Sequence, residues 1–160
     1  MTIYVGVGEF AVSKTPGDIV KTLALGSCIA VVLLDPRNRA VGLLHFALPD
    51  SSINKKRVSE RPGMFADTGI AILLEEMKKL GYSGNRNMIV KLAGGASIID
   101  PNNTFNIGKR NILAARKVLW NYRLGAIAED IGGNSSRSVS VDVNTGKVIL
   151  SSPGRGQWEL

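Results

Sequence analysis

Apolar and polar residues alternate over residues 3–7, the period of a half-buried strand, until Ser13-Lys-Thr-Pro-Gly17 breaks the pattern. Two apolar, β-branched stretches follow at 19–25 and 28–34, divided at Gly26-Ser27. Asp35-Pro36-Arg37-Asn38 reads as a turn into a third run, 40–46, so the second and third runs are expected to pair as a hairpin. In an antiparallel pair the start of one strand lies beside the end of the other. That topology brings Cys28 and His45 together although they are 17 positions apart.

Residues 49–63 form a polar stretch too long for a tight connection, a kind of loop that often carries function. From about residue 64, Ile70, Leu73, Leu74, Met77 and Leu80 recur at helical spacing, with Lys78 and Lys79 in the last turn and Gly81 as a stop. A strand over 87–92 runs into Gly94-Gly95-Ala96. A second helix is expected over 108–123, with Ile112, Ala115, Leu119 and Tyr122 on one face and Gly125 closing it. A strand at 126–131 and a hairpin of 138–143 with 147–150 through Asn144-Thr145-Gly146 complete a mixed α/β chain. No repeat or low-complexity segment divides it, and residues 1–160 are expected to form one domain.

Composition narrows the chemistry. One cysteine, Cys28, and one histidine, His45, exclude an intramolecular disulfide and any zinc site built from several Cys and His ligands, and point to a reducing compartment. The longest apolar run, 28–34, is far short of the roughly 20 residues that cross a bilayer. With no secretory signal pattern at the N-terminus, the expectation is a cytoplasmic protein without membrane insertion. The net charge of +7 has two readings, attraction to an acidic partner or simple solubility. Its densest group is Lys55, Lys56, Arg57 and Arg61; no run of five or more cations appears, and nucleic acid is not expected.

Cys28 follows Gly26-Ser27, where a sharp bend can expose a side chain and backbone N–H groups to a cleft. It reads either as a small buried hydrophobe or as a nucleophile. His45 ends its apolar run and reads either as a core histidine or as the matching base, and Thr22, on the preceding strand, as an ordinary β-branched residue or the hydroxyl that orients the imidazole. Gly6-Val-Gly8 resembles a dinucleotide fingerprint, but Pro16-Gly17 falls where that fold needs helix. Gly94-Gly95-Ala96 and Gly132-Gly133 lack a P-loop ending and read as tight turns near substrate or strand. Trp120 is expected in the core and Trp158 as a docked tail. Glu129 and Asp130 are strand neighbours, which point to opposite faces and so do not converge.

Thr22, Leu25-Gly-Ser-Cys28, His45-Phe-Ala-Leu-Pro49, Phe65-Ala-Asp67, Lys91 with Gly94-Gly95-Ala96, Ile107-Gly-Lys-Arg-Asn111, and Asp130-Ile-Gly-Gly133 followed by Arg137 occur in an order that resembles the CheD family of chemoreceptor glutamine deamidases. The resemblance implies a layered α/β sandwich with mixed β-sheet, similar to the catalytic domain of cytotoxic necrotizing factor toxins. It also implies a Cys-His-Thr set, here Cys28, His45 and Thr22, acting on glutamines of methyl-accepting chemotaxis receptors without a cofactor. Ser27, Gly94, Gly95 and Ala96, with the 49–63 loop, are the candidates for oxyanion donors and substrate groove. A CheC-type phosphatase is a further possible partner, the chain then serving chiefly as its binding regulator, and a monomer is expected. Leu92-Ala93 and Ser135-Ser136 depart from the family's usual Phe-Gly and glycine, which bears on the groove rather than on the chemistry.

Overall fold

The computed structural model describes residues 1–84, 87–98 and 105–160. Five strands come first: β1 (Thr2–Tyr4), β2 (Phe10–Ser13), β3 (Ile19–Leu25), β4 (Ile29–Asp35) and β5 (Ala40–Phe46). Helices α1 (Lys55–Glu60) and α2 (Ala66–Lys79), strand β6 (Ile89–Gly94) and helix α3 (Ile107–Asn121) follow. Strands β7 (Ala126–Ile131), β8 (Arg137–Asp142), β9 (Val148–Ser152) and β10 (Gly156–Glu159) end the chain.

The strands form two five-stranded sheets, β1-β3-β8-β9-β10 and β2-β5-β4-β6-β7. Each is mixed, because β1 runs parallel to β3 and β6 parallel to β7 while the other neighbours are antiparallel. The layered α/β sandwich expected from the sequence is therefore present, as sheet on sheet with α2 and α3 on the outer face of the second sheet.

Strand β4 explains the layering. Every one of its residues is buried, as in a central strand covered on both faces, which is why its sequence is a continuous apolar run. Ile29, Val31 and Leu33 pack on Ile70, Leu73 and Ile112 of the helices. Ala30, Val32 and Leu34 alternate to the other side and meet Val20, Val139 and Leu150 of the first sheet.

Some boundaries differ from the sequence reading. Phe10–Ser13, expected to end in a loop, is an edge strand on β5, and the tail around Trp158 is an edge strand on β9. The 49–63 stretch is not a plain loop: Asn54 caps α1 by accepting from the Arg57 N–H, and the Ser51 N–H and hydroxyl both donate to Asp67. Trp120 lies outside the core at 77% exposure, on the solvent side of α3. Helix α3 is closed not by Gly125 but by Arg123, which takes the left-handed conformation at φ +60° while its N–H and that of Leu124 return to the Trp120 and Leu119 carbonyls.

Gly94 ends β6 at φ +111°, opposite Ile29, and a Cβ there would collide with the Cys28 carbonyl oxygen. Gly94→Ala should therefore cost at least about 2 kcal/mol of stability, read as a lowered urea midpoint with an unchanged slope.

Candidate active site

Strand β3 lies in the first sheet, and its pairing with β8 shifts register between Thr22 and Leu25. Ala24 takes up the shift at φ +54°. Leu23 and Ala24 are thereby turned outward, while Thr22 and Leu25 both point into the space between the sheets. Across that space, His45 shares the inner face of β5 with Val41 and Leu43. The expected hairpin is formed, with Ala30 opposite His45 and Ile29 opposite Phe46. Cys28 lies two residues before Ala30 and packs on the same inter-sheet core, the diagonal neighbour of His45. The three residues thus come from facing sheets.

The hydrogen bonds assign the imidazole tautomer. Thr22 Oγ1 donates its single proton to the Val5 carbonyl at 2.6 Å, because a carbonyl can only accept. Toward His45 Nδ1, at 2.8 Å, Thr22 must then accept, so the ring proton sits on Nδ1 and Nε2 carries a free lone pair. Among the described residues Nε2 is buried without a hydrogen-bond partner, the Cys28 thiol included. The His45 backbone is held as well: its N–H donates to the Glu9 carbonyl and its carbonyl accepts from the Gly8 N–H.

Burial lowers the His45 pKa to about 4, with the Glu9 charge pulling weakly the other way. Burial also pushes the Cys28 thiol above its ordinary value, opposed by the N–H of Cys28 itself. Both groups are neutral near pH 7, so the site holds a thiol beside a free base rather than a preformed thiolate–imidazolium pair.

Cys28 opens onto a cleft of about 680 Å³ whose walls include Ala24, Ser27, Ala96, Ile98 and Phe105. The rim is apolar. The cleft's described lining includes Ser27 and Ala96 but not Gly94, Gly95 or any residue of the 49–63 loop. Instead the Gly95 N–H donates to the Cys28 carbonyl and the Ala96 N–H to the Gly26 carbonyl, so neither amide is free to bind an oxyanion. The N–H groups of Ser27 and Cys28 are bonded to no other described residue, that of Cys28 facing its own thiol.

Two residues that received no individual role from the sequence support this arrangement. Asn111, fully buried, donates from Nδ2 to the Ser27 carbonyl at 2.9 Å and to the Ala47 carbonyl at 3.0 Å. The available signal was a polar residue on the apolar stripe of α3, between Gly108 and Ile112. Arg137, 4% exposed, pairs with Asp130 and donates to the Gly132 and Ser135 carbonyls. It thereby holds the turn whose Gly132 N–H and Gly133 carbonyl brace Gly94 and Ser97 at the cleft wall. As strand alternation requires, Glu129 turns the other way, to Arg116. Trp158 docks by donating from Nε1 to Asp130.

Among the described residues no group of three or more His, Cys, Asp or Glu is placed to hold a metal ion, and no helix is long and apolar enough to cross a membrane.

A family model described as CheD chemotactic sensory transduction matches residues 47–152. The chain is 50% identical over 159 residues to the probable chemoreceptor glutamine deamidase CheD of Syntrophotalea carbinolica, covering 99% of this chain and 98% of that protein. It is 47% identical over 158 residues to the probable chemoreceptor glutamine deamidase CheD 1 of Syntrophus aciditrophicus, covering 99% and 98%. To the chemoreceptor glutamine deamidase CheD of Thermotoga maritima it is 42% identical over 153 residues, covering 96% and 93%.

The depressed His45 pKa sets a pH dependence of stability. Folded His45 holds a proton less tightly than the unfolded residue, so between pH 6.5 and about 4 the unfolded state binds more protons and stability falls as pH is lowered. Over that window the wild-type protein should lose about 3 kcal/mol more than His45→Gln in urea titrations.

Proposed function

The chain belongs to the CheD family, and from that premise we propose that it is a hydrolase converting glutamine side chains of methyl-accepting chemotaxis receptors to glutamate, with Cys28 as nucleophile, His45 as proton carrier and Thr22 as its orienting partner. The observation that carries the assignment of roles is the hydrogen bond from His45 Nδ1–H to Thr22, which leaves Nε2 unprotonated on the ring whose strand is paired to β4, just after Cys28.

The reaction follows from those positions. As the substrate amide reaches the cleft, the thiol proton passes to Nε2 while sulfur bonds to the amide carbon. The carbonyl oxygen becomes an oxyanion, and the N–H groups of Ser27 and Cys28, bonded to no other described residue, are the donors for it. Gly95 and Ala96 serve by holding the Cys28 and Gly26 carbonyls aside. Nε2–H protonates the departing nitrogen, the C–N bond breaks and ammonia leaves a thioester on Cys28. Water, deprotonated by Nε2, then cleaves the thioester to glutamate and restores the thiol. A neutral resting pair suits this sequence, since the imidazolium forms only during attack and is stabilised through Thr22, whose hydroxyl passes its polarity to the Val5 carbonyl.

The same reading takes residues 1–160 as one cytoplasmic, monomeric domain, drawn by its +7 charge to an acidic receptor surface and able to bind a CheC-type phosphatase. Sedimentation and pull-down address the last two points.

Incubated with purified receptor, the wild-type protein should release ammonia and raise peptide mass by approximately one dalton per converted glutamine. Cys28→Ala should abolish conversion, His45→Ala should slow it by about 10²–10⁴-fold, and Thr22→Ala by up to about 10²-fold. Conversion by Cys28→Ala at the wild-type rate would reject the mechanism.

A further inference from the structure

Asn111 is 0% exposed, on the stripe of α3 that packs into the helix-side core. Burying an amide there costs free energy unless each polar atom is bonded, and Oδ1 has no partner among the described residues. An aliphatic side chain would serve packing better, so what distinguishes Asn111 is where its two donors go. They reach the Ser27 and Ala47 carbonyls, two residues before and one residue after the last β4–β5 pair, Ile29 with Phe46. The amide orientation is set by these partners, because the reversed amide would aim Oδ1 at two carbonyl oxygens.

In a trans peptide the carbonyl and the following N–H point in opposite directions. Fixing the Ser27 carbonyl on Asn111 therefore fixes the Cys28 N–H, turned the other way, beside its own thiol and bonded to no other described residue. The peptide before it is fixed in the same manner by the Ala96 N–H on the Gly26 carbonyl, and the peptide after it by the Gly95 N–H on the Cys28 carbonyl. Of these three restraints only that of Asn111 comes from a side chain, and only it governs the Cys28 N–H.

We propose that Asn111 is a positioning residue that presents the Cys28 N–H to the oxyanion formed when the Cys28 sulfur attacks a carbonyl group. The inference deepens the proposed deamidase mechanism but rests on cysteine acylation alone, so it is tested apart from the receptor. The probes are p-nitrophenyl acetate and iodoacetamide. With the ester, sulfur attacks the carbonyl carbon, the C–O bond breaks, p-nitrophenolate leaves and an acetyl thioester remains on Cys28; a tetrahedral oxyanion lies on the path. With iodoacetamide, sulfur displaces iodide at carbon and no oxyanion forms. Cys28→Ala supplies the blank for both.

In Asn111→Leu the acylation rate should fall by about 10²-fold, the scale of losing one oxyanion donor. Alkylation should stay within about threefold of wild type, since the imidazole and its Thr22 bond are untouched by the change. Equal acylation in variant and wild type would overturn the proposal, and so would a parallel fall of both rates, which marks general displacement of Cys28. If the leucine variant does not melt cooperatively, Asn111→Ser is read by the same ratio, and unfolding of both variants would assign Asn111 a structural part only and reject the proposal. A receptor left unconverted by wild-type protein would instead reject the deamidase reading while leaving the acylation ratio to decide on Asn111.

Discussion

A single hydrogen bond between the sheets organises the chemistry of this fold. His45 belongs to the second sheet and Thr22 to the first, and the 2.8 Å contact between them settles the ring tautomer and its orientation. It settles the tautomer because the Thr22 proton is already committed to the Val5 carbonyl. It settles the orientation because a ring donating on one edge between two packed sheets has little freedom left to turn. The charge follows from the same burial that packs the sheets, since a core formed by Val20, Val32 and Val139 offers an imidazolium little solvation. Loosening the sandwich would therefore alter reactivity as well as stability.

The second constraint is steric. The Gly26-Ser27-Cys28 bend before β4 has all three of its carbonyls turned to partners on α3 and on the loop after β6. That closeness requires glycine on the opposing segments: Gly94 against the Cys28 carbonyl, Gly95 against Ile112, and Gly108 against the Gly95 carbonyl. Each would be obstructed by a Cβ, and Gly94 and Gly95 also have positive φ. The glycines act as spacers that let three elements converge behind one cysteine.

Much of this was legible in the sequence because it lies in strong patterns. The β4–β5 hairpin was marked by two apolar runs around a Pro-containing turn, and that topology placed Cys28 near His45 before any register was known. Helix α2 was marked by its apolar spacing and by Lys78 and Lys79 at its end. The short edge strands β2 and β10 were not legible, since four residues with one side open to solvent leave too little alternation to recognise. Trp120 was misplaced because a large apolar side chain on a helix counts toward the core in composition, although its position on α3 faces solvent. The division into two sheets was hidden as well: β8 and β9 read as a hairpin, but only the three-dimensional pairing with β3 assigns them to a separate layer. Gly94-Gly95-Ala96 was read as groove, and no pattern showed that the Gly95 and Ala96 amides donate to the Cys28 and Gly26 carbonyls; which partner an N–H finds is a tertiary matter.

Three buried polar atoms lack partners among the described residues: His45 Nε2, Asn111 Oδ1 and Arg137 Nε. Each such atom costs about 1–3 kcal/mol relative to a bonded or apolar replacement. A sequence shaped by stability alone would shed them, yet all three belong to side chains whose other atoms hold the cleft in shape. In the proposed mechanism Nε2 is the base, whose lone pair stays free until a thiol proton arrives. Oδ1 is the remaining face of an amide whose two donors are both used on strand carbonyls. Arg137 Nε belongs to a guanidinium whose outer nitrogens are committed to the turn from Asp130 to Ser135, which in turn braces the Gly94–Ser97 wall. What keeps the three in place is the doubly covered β4 and the glycine-permitted convergence around it, where apolar packing offsets polar groups that the chemistry leaves unsatisfied.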